Sequence, residues 1–290
     1  MDYKCIKYDK DGSAVTITLN RPGKLNTWDF PGQGGLMDEF YSALDVAADD
    51  DDIKAVVIKG EGRAFSAGHD LDTVGFVYGM GTGKPGERRP SQRVRYKVDR
   101  VWFDNHLKLF CLPKITIAQI HGYCLEEGLL VVEECDIAIA SEDAQLGHRG
   151  QRIGPAGASI PTIPIIVHNI GLKRAMDILL SGRLFSGKEA AEMGLITKAV
   201  PSDELEGEVQ RWVNMIDLLP KDGIAIGKAT RHAAYDSMGL TSGFIQGYIS
   251  HVMLTNMRWE TGEWNLFKER RDRGTKNAFQ GRDERYRGIE

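Results

Sequence analysis

No stretch of this chain approaches the roughly 18 consecutive apolar residues that a membrane-spanning helix needs, so no membrane partner is expected. An excess of positive charge is missing as well. There are 37 Lys+Arg against 41 Asp+Glu, a formal net charge of -4. That balance argues against a general nucleic-acid binder, although a local basic patch stays open. Cysteine is scarce. Cys5, Cys111, Cys124 and Cys135 show no Cys-x-x-Cys or other metal spacing, so no metal is expected. Each sits beside apolar residues, which reads as buried, reduced thiols in a cytoplasmic protein. The first ten residues lack an apolar core, and no secretory signal is expected. There is no low-complexity tract and no repeat of fixed length. What is present is 42% hydrophobic and 27% charged residues over 290 positions. This describes one large or two modest globular domains with a sizeable core.

Alternation marks the first strand, with Val15, Ile17 and Leu19 on one face before Arg21-Pro22-Gly23. Leu36, Phe40, Leu44 and Ala47 are spaced for a helix that ends in Asp49–Asp52. A β-branched run at 53–59 reads as a buried strand. Glycines and prolines crowd 73–92, which reads as a mobile loop. Arg88 to Arg100 holds six basic residues and one acid. It is either a phosphate-binding edge or a solvated helix face. Strands are expected at 114–120 and 135–140, with a turn and two to three helical turns over 121–134 between them. Strand–helix alternation of this kind implies parallel pairing with right-handed crossovers, one turn of chain per strand in a spiral stack. From 162 onward the chain reads as helical, with Gly171 as punctuation and a capping box at Ser186–Glu189. The tail from Lys268 is charged and poor in apolar anchors.

Two turns are candidates for chemistry. One is Arg63-Ala-Phe-Ser-Ala-Gly-His-Asp-Leu71, directly after a buried strand. The other is His121-Gly-Tyr-Cys-Leu-Glu-Glu-Gly128, between a strand and an apolar helix. Glycine lets backbone approach a ligand, and free amides at a helix start hold an anion or a polarised carbonyl. They are either two ordinary strand–helix turns or two halves of an oxyanion hole.

Several pieces in order carry a family resemblance: Leu19-Asn-Arg-Pro22 with Leu25-Asn26, and Ala64-Phe-Ser-Ala-Gly-His-Asp-Leu71. They continue with Lys114-Ile-Thr-Ile-Ala-Gln-Ile-His-Gly-Tyr123, Glu134-Cys-Asp-Ile-Ala-Ile-Ala140, Ala144-Gln-Leu-Gly147, Leu180-Ser-Gly182 and Ala190-Ala-Glu-Met-Gly-Leu195. Together they resemble the enoyl-CoA hydratase/isomerase (crotonase) superfamily over about residues 10–205. The resemblance implies an α/β fold: a crotonase-like spiral of ββα units at 1–204, then a C-terminal α-helical oligomerisation region and charged tail at 205–290. It implies a homotrimer or homohexamer, and coenzyme A present as part of an acyl-CoA substrate, with no tightly bound cofactor.

The resemblance places the first oxyanion-hole amide on His69, after Ala67-Gly68. It places the second on Glu127, because the family's Gly-Gly-Gly turn here reads Glu126-Glu127-Gly128. The implied CoA contacts lie at Lys24, Leu25 and Ala67, with Gly68, Asp70, Leu71 and Gly128 around the thioester and the arginines of 88–100 near phosphates. At the family's two catalytic glutamate positions stand Leu130 and Gly150. Hydration by the usual pair needs two carboxylates flanking a water, which leucine and glycine cannot supply. Ordinary fatty-acid hydratase activity is therefore not expected. Gly150 resembles the dihydroxynaphthoyl-CoA synthase branch and its ring-opening relatives. That branch's acid would fall on Gly157, where none is present, and Ser159 is the nearest hydroxyl.

His148 is the candidate general base, or else a structural histidine at a turn. Arg149 and Arg152 suit a substrate carboxylate or an ion pair. Glu126 and Glu127 are explained by the helix dipole, and Glu133 and Glu134 by packing or solubility. The reading is an enzyme that stabilises a thioester enolate or oxyanion with two amides, on a cyclic or branched acyl-CoA. Its alternatives are C–C hydrolysis of a β-keto acyl-CoA, and a non-catalytic protein that binds CoA ligands or a partner.

Overall fold

The computed structural model describes residues 2–73, 91–154, 160–253 and 257–289. The loop expected over 73–92 falls mostly outside them, as do Gly157 and Ser159.

Among the described residues, two sheets wind together. The larger has six strands in the order β1 (Ile6–Asp11), β2 (Ala14–Leu19), β3 (Ala55–Gly60), β5 (Ile115–Ile120), β7 (Ile137–Ser141) and β10 (Lys198–Val200). Only β1–β2 is antiparallel; the remaining pairs are parallel. The smaller contains β4 (Ala64–Ser66), β6 (Tyr123–Leu125), β8 (Gln145–Gly147) and β9 (Phe185–Ser186). The chain alternates between sheets: β3 then β4, β5 then β6, β7 then β8. After β6 comes the helix α3 (Glu127–Glu134), a ββα turn of the expected spiral. The two helical turns expected within 121–134 form as α3, and the strand β6 stands where only a turn was expected. At three residues it is too short to show an alternation.

Alternate side chains of β2 and β3 serve two cores. Val15, Ile17, Leu19, Val56 and Ile58 pack inward beneath α1 (Leu36–Asp49). Ala14, Ala55 and Val57 face outward against α6 (Leu205–Asp217) and α7 (Lys221–Ser237), through Leu205, Val209, Ile216 and Ile224. Burial on both faces is why 53–59 is so β-branched. The helix α1 is started by Asp29, whose carboxylate accepts from Leu36 N at 3.1 Å and Met37 N at 2.9 Å.

The apolar pattern does not reveal α2 (Gln92–Phe110), because its buried face is Arg95, Asp99, Trp102, Phe103, His106, Leu109 and Phe110. Arg95 pairs with Asp99 at 3.1 Å, and Asp99 with His251 at 2.9 Å. His251 sits on α8 (Ser242–Met253). Arg95 is therefore neither a phosphate edge nor a solvated face. Arg100 is committed to Asp104 at 2.8 Å. Arg88 and Arg89 lie outside the described residues.

The helix α4 (Ile163–Ser181) is interrupted at Gly171, whose φ is 78°. Ser186 Oγ accepts from Glu189 N at 3.0 Å and starts α5 (Gly187–Met193). The Glu189 side chain turns to Arg183 at 2.7 Å, so half of the expected capping box forms. The charged tail folds as α9 (Leu266–Arg273) and α10 (Thr275–Glu284). Cys111 is exposed and Cys5 and Cys135 are half-buried, so only Cys124 fits the expectation of buried thiols. No described helix is long and apolar enough to cross a membrane.

Candidate active site

The two candidate turns meet. A Cβ on Gly68 would lie 2.4 Å from Glu126 Cβ, and one on Gly128 would lie 2.8 Å from Ser66 Cβ. This contact explains why Gly128, alone of the three residues 126–128, is glycine: backbone and side chain of the first turn press against it. Ser66 Oγ donates to Asn26 O at 2.8 Å and accepts from Gly68 N at 3.1 Å. Asn26 is fully buried at φ 53°, and its Nδ2 donates to Glu61 O and Ala64 O. It knots the Leu25-Asn26 turn to β4.

His69 forms a parallel bridge with Trp28, in which Trp28 N donates to Gly68 O and Asp70 N donates to Trp28 O. The bonds belong to the flanking residues, so the His69 N–H faces the other side of the chain. Among the described residues no acceptor meets it. Glu127 is the first residue of α3, and its N–H has no intrahelical partner. Two free amides on adjoining turns are the donor set an oxyanion needs.

Lys24 Nζ and Arg21 Nη2 both hold Asp70, at 2.9 and 3.0 Å, and Ala67 N donates to Leu25 O. Burial pushes the Asp70 carboxyl up, but Lys24, the Asp72 amide and Arg21 outweigh it and hold it below its ordinary value. Asp70 thus ties the two loops together with its carboxylate already filled. Leu71 lies exposed beside it.

Glu126 and Glu127 do more than complement a dipole. Glu127 is fully buried and accepts from Trp102 Nε1 at 3.0 Å. His106 lies between two carboxylates, with Nε2 3.1 Å from Glu127 and Nδ1 2.8 Å from Glu134. Burial lowers the His106 pKa, but Glu134 and Glu127 outweigh it and raise the net value. His69 Nε2 stands 3.7 Å from Glu127, its ring stacked on Phe30. Burial holds the His69 pKa down despite Glu127. The Glu127 side chain is thus drawn into the core while its amide stays free. Glu134 is buried and paired, and Glu133 is buried too, so solubility is not their role. Trp102 and His106, both on α2, are site residues that the sequence reading missed. Their signal was polar residues at helical spacing.

Glu126 adopts φ 51°, ψ -117° at the start of α3. That conformation throws its carboxylate onto the loop after β8. Oε1 accepts from Gly150 N at 2.7 Å, and Oε2 lies 2.8 Å from His148 Nδ1. A Cβ on Gly150 would stand 2.6 Å from Glu126 Oε2. Burial pushes Glu126 up, but His148 outweighs it, with Arg282 and His69 adding, so it stays ionised. Burial opposes the charge on His148, but Glu126 wins and raises its pKa. Arg149 and Arg152 reach Asp283 of α10 at 2.9 and 3.7 Å, so the tail clamps this loop through intrachain ion pairs. Leu130 is buried and lines a small cavity with Glu133 and His148.

The sequence profile for enoyl-CoA hydratase/isomerase matches residues 9–273. A putative enoyl-CoA hydratase of Mycobacterium tuberculosis, EchA13, is 29% identical over 272 residues, covering 89% of this chain and 82% of that one. A putative enoyl-CoA hydratase of Thermus thermophilus is 28% identical, covering 80% and 85%. The crystal structure of an enoyl-CoA hydratase/isomerase from Xanthobacter autotrophicus superposes with a TM-score of 0.80 at 27% identity, covering 98% of this chain and 99% of that one. Spiral, paired turns and profile agree: the chain belongs to the enoyl-CoA hydratase/isomerase family.

Proposed function

We propose that the chain is an acyl-CoA-transforming enzyme in which the His69 and Glu127 amides hold the thioester oxygen of an enolate or tetrahedral oxyanion. His148, oriented by Glu126, moves the proton. The observation that carries this reading is the Glu126–His148 pair at Gly150, which supplies a carboxylate where the local sequence has none. With Nδ1 committed to Glu126, His148 has Nε2 left to take or give a proton. The apolar wall of Leu129, Leu130 and Ile166 favours a cyclic or branched acyl group over a polar one.

Lys24, Leu25, Ala67, Gly68 and Leu71 border the first amide and are assigned to the CoA thioester, with Asp70 positioning them. Gly128 seats the second amide. The region 205–290 is assigned to assembly of a homotrimer or homohexamer. Exposed Leu218, Ile226, Ile245 and Ile249 support that assignment. Four free cysteines favour a reducing, cytoplasmic setting.

The test is mass-spectrometric turnover of linear enoyl, cyclic enoyl and cyclic β-keto CoA thioesters, with α-proton exchange in heavy water. Water addition or exchange that is lost on His148→Ala, with thioester affinity kept, supports the reading. A ring-opened free acid selects C–C hydrolysis instead. Binding without exchange or turnover selects a non-catalytic protein.

A further inference from the structure

Behind His148 lies a small cavity walled by Leu129, Leu130, Ile160, Ile178 and Phe185. One polar wall is His148 and the other is Glu133. Glu133 is 6% exposed, and among the described residues neither of its carboxyl oxygens has a hydrogen-bond partner. Among those residues the Thr162 hydroxyl is the one hydrogen-bonding group beside it, too poorly aligned to serve either oxygen fully. Buried polar groups are almost always satisfied, so a carboxyl that faces a cavity with only a poorly aligned hydroxyl beside it calls for an explanation. The space holds about one water, and a water there lies between the carboxyl and the imidazole. Two polar partners are enough to hold a buried water, while an unserved carboxyl in such a site is costly.

We infer that Glu133 is a second catalytic residue, which holds with His148 the water that adds to the acyl group and serves as the proton donor opposite that histidine. The inference rests on the function proposed above, in its water-adding form. A proton of the water passes to His148, the water oxygen bonds to the β-carbon, and the π pair of the double bond moves to the thioester as an enolate under the two amides. The Glu133 carboxyl gives its proton to the α-carbon. The resulting carboxylate takes back the proton from His148. One water has been added across the double bond, with no net oxidation and both side chains restored. Burial, opposed only weakly by Thr162 and His148, pushes the Glu133 carboxyl up to about 8, so it enters neutral pH carrying the proton it must give.

The experiment compares pH–rate profiles and thioester affinity for the full chain, Glu133→Gln and Glu133→Leu, on the linear enoyl, cyclic enoyl and cyclic β-keto CoA thioesters. Glu133→Leu removes a buried carboxyl in favour of a side chain of similar volume, and it folds if Glu133→Gln does not. The expected result is an alkaline limb near pH 8 in the wild type that is absent in both variants. Turnover falls about 100-fold or more, with thioester affinity within about threefold. Turnover kept within about threefold in either variant, with the alkaline limb in place, overturns the role of Glu133 and leaves the proposed function standing. A wild type that binds the thioesters and turns over none of them overturns that function and this role with it.

Discussion

The carboxylate of Glu126 occupies the space that a side chain at Gly150 would fill, with Oε2 only 2.6 Å from the position of a Cβ there. The two residues are exclusive. Gly150→Glu expels Glu126 and disrupts the His148 pair, so kcat/KM falls about 100-fold or more. Adding Glu126→Gly removes the clash and relieves the positive φ of residue 126. A double-mutant cycle in kcat/KM is expected to show strong non-additivity, the double variant exceeding Gly150→Glu alone. Additive losses would contradict the exclusion.

In the proposed function His148 is expected to set the acid limb of activity. Glu126 raises its pKa, so the rising limb lies above the ordinary histidine value of 6.5. Removing the carboxylate charge in Glu126→Gln leaves burial, which acts in the opposite direction. A pH profile of kcat/KM for this variant is expected to move its acid limb below that of the wild type.

Glu133 makes stability depend on pH. Its folded value of about 8 exceeds the ordinary 4.5, so the folded state binds more protons between them and stability falls as pH rises through that window. At pH 7 the cost is about 3 kcal/mol, which Glu133→Leu relieves. Urea denaturation is expected to show the variant gaining over the wild type at pH 7, and gaining far less at pH 5.

His106 pairs with two buried carboxyl groups at once. His106→Leu leaves Glu127 and Glu134 facing each other without a cation, and the expected loss is about 3–5 kcal/mol in urea denaturation. His106→Gln, which keeps a donor, loses less. Since the His106 pKa is raised, its contribution is complete below 6.5 and fades as pH rises through its folded value.

Exposed apolar residues on α7 and α8 predict self-association. Ile226 and Ile249 are 67% and 48% exposed. Light scattering is expected to give a mass of three or six chains, and the Ile226→Asp, Ile249→Asp double variant a smaller particle. A monomeric wild type would contradict the assignment.

Much of the frame is legible in local sequence because its signals are local. Val15, Ile17 and Leu19 alternate, Leu36 to Ala47 keep helical spacing, and Ser186 caps its helix without help from elsewhere. The ordered motifs around Gly68 and Gly128 fix the family and the two candidate amides, since close backbone approach admits only small residues there. The side-chain chemistry is another matter. Glu126 and Gly150 are 24 positions apart, and His106 and Glu134 are 28 apart. No spacing rule joins them. Read along the chain, Glu126 and Glu127 are two acids at a helix start. In the folded protein a single positive φ at Glu126 sends them to opposite sides, one to His148 and one to His106. The sequence by itself determined the spiral, its cores and where the two candidate backbone donors fall. Only tertiary structure decided which carboxylates reach which histidines, because a buried charge takes its pKa and its partners from distant elements packed around it.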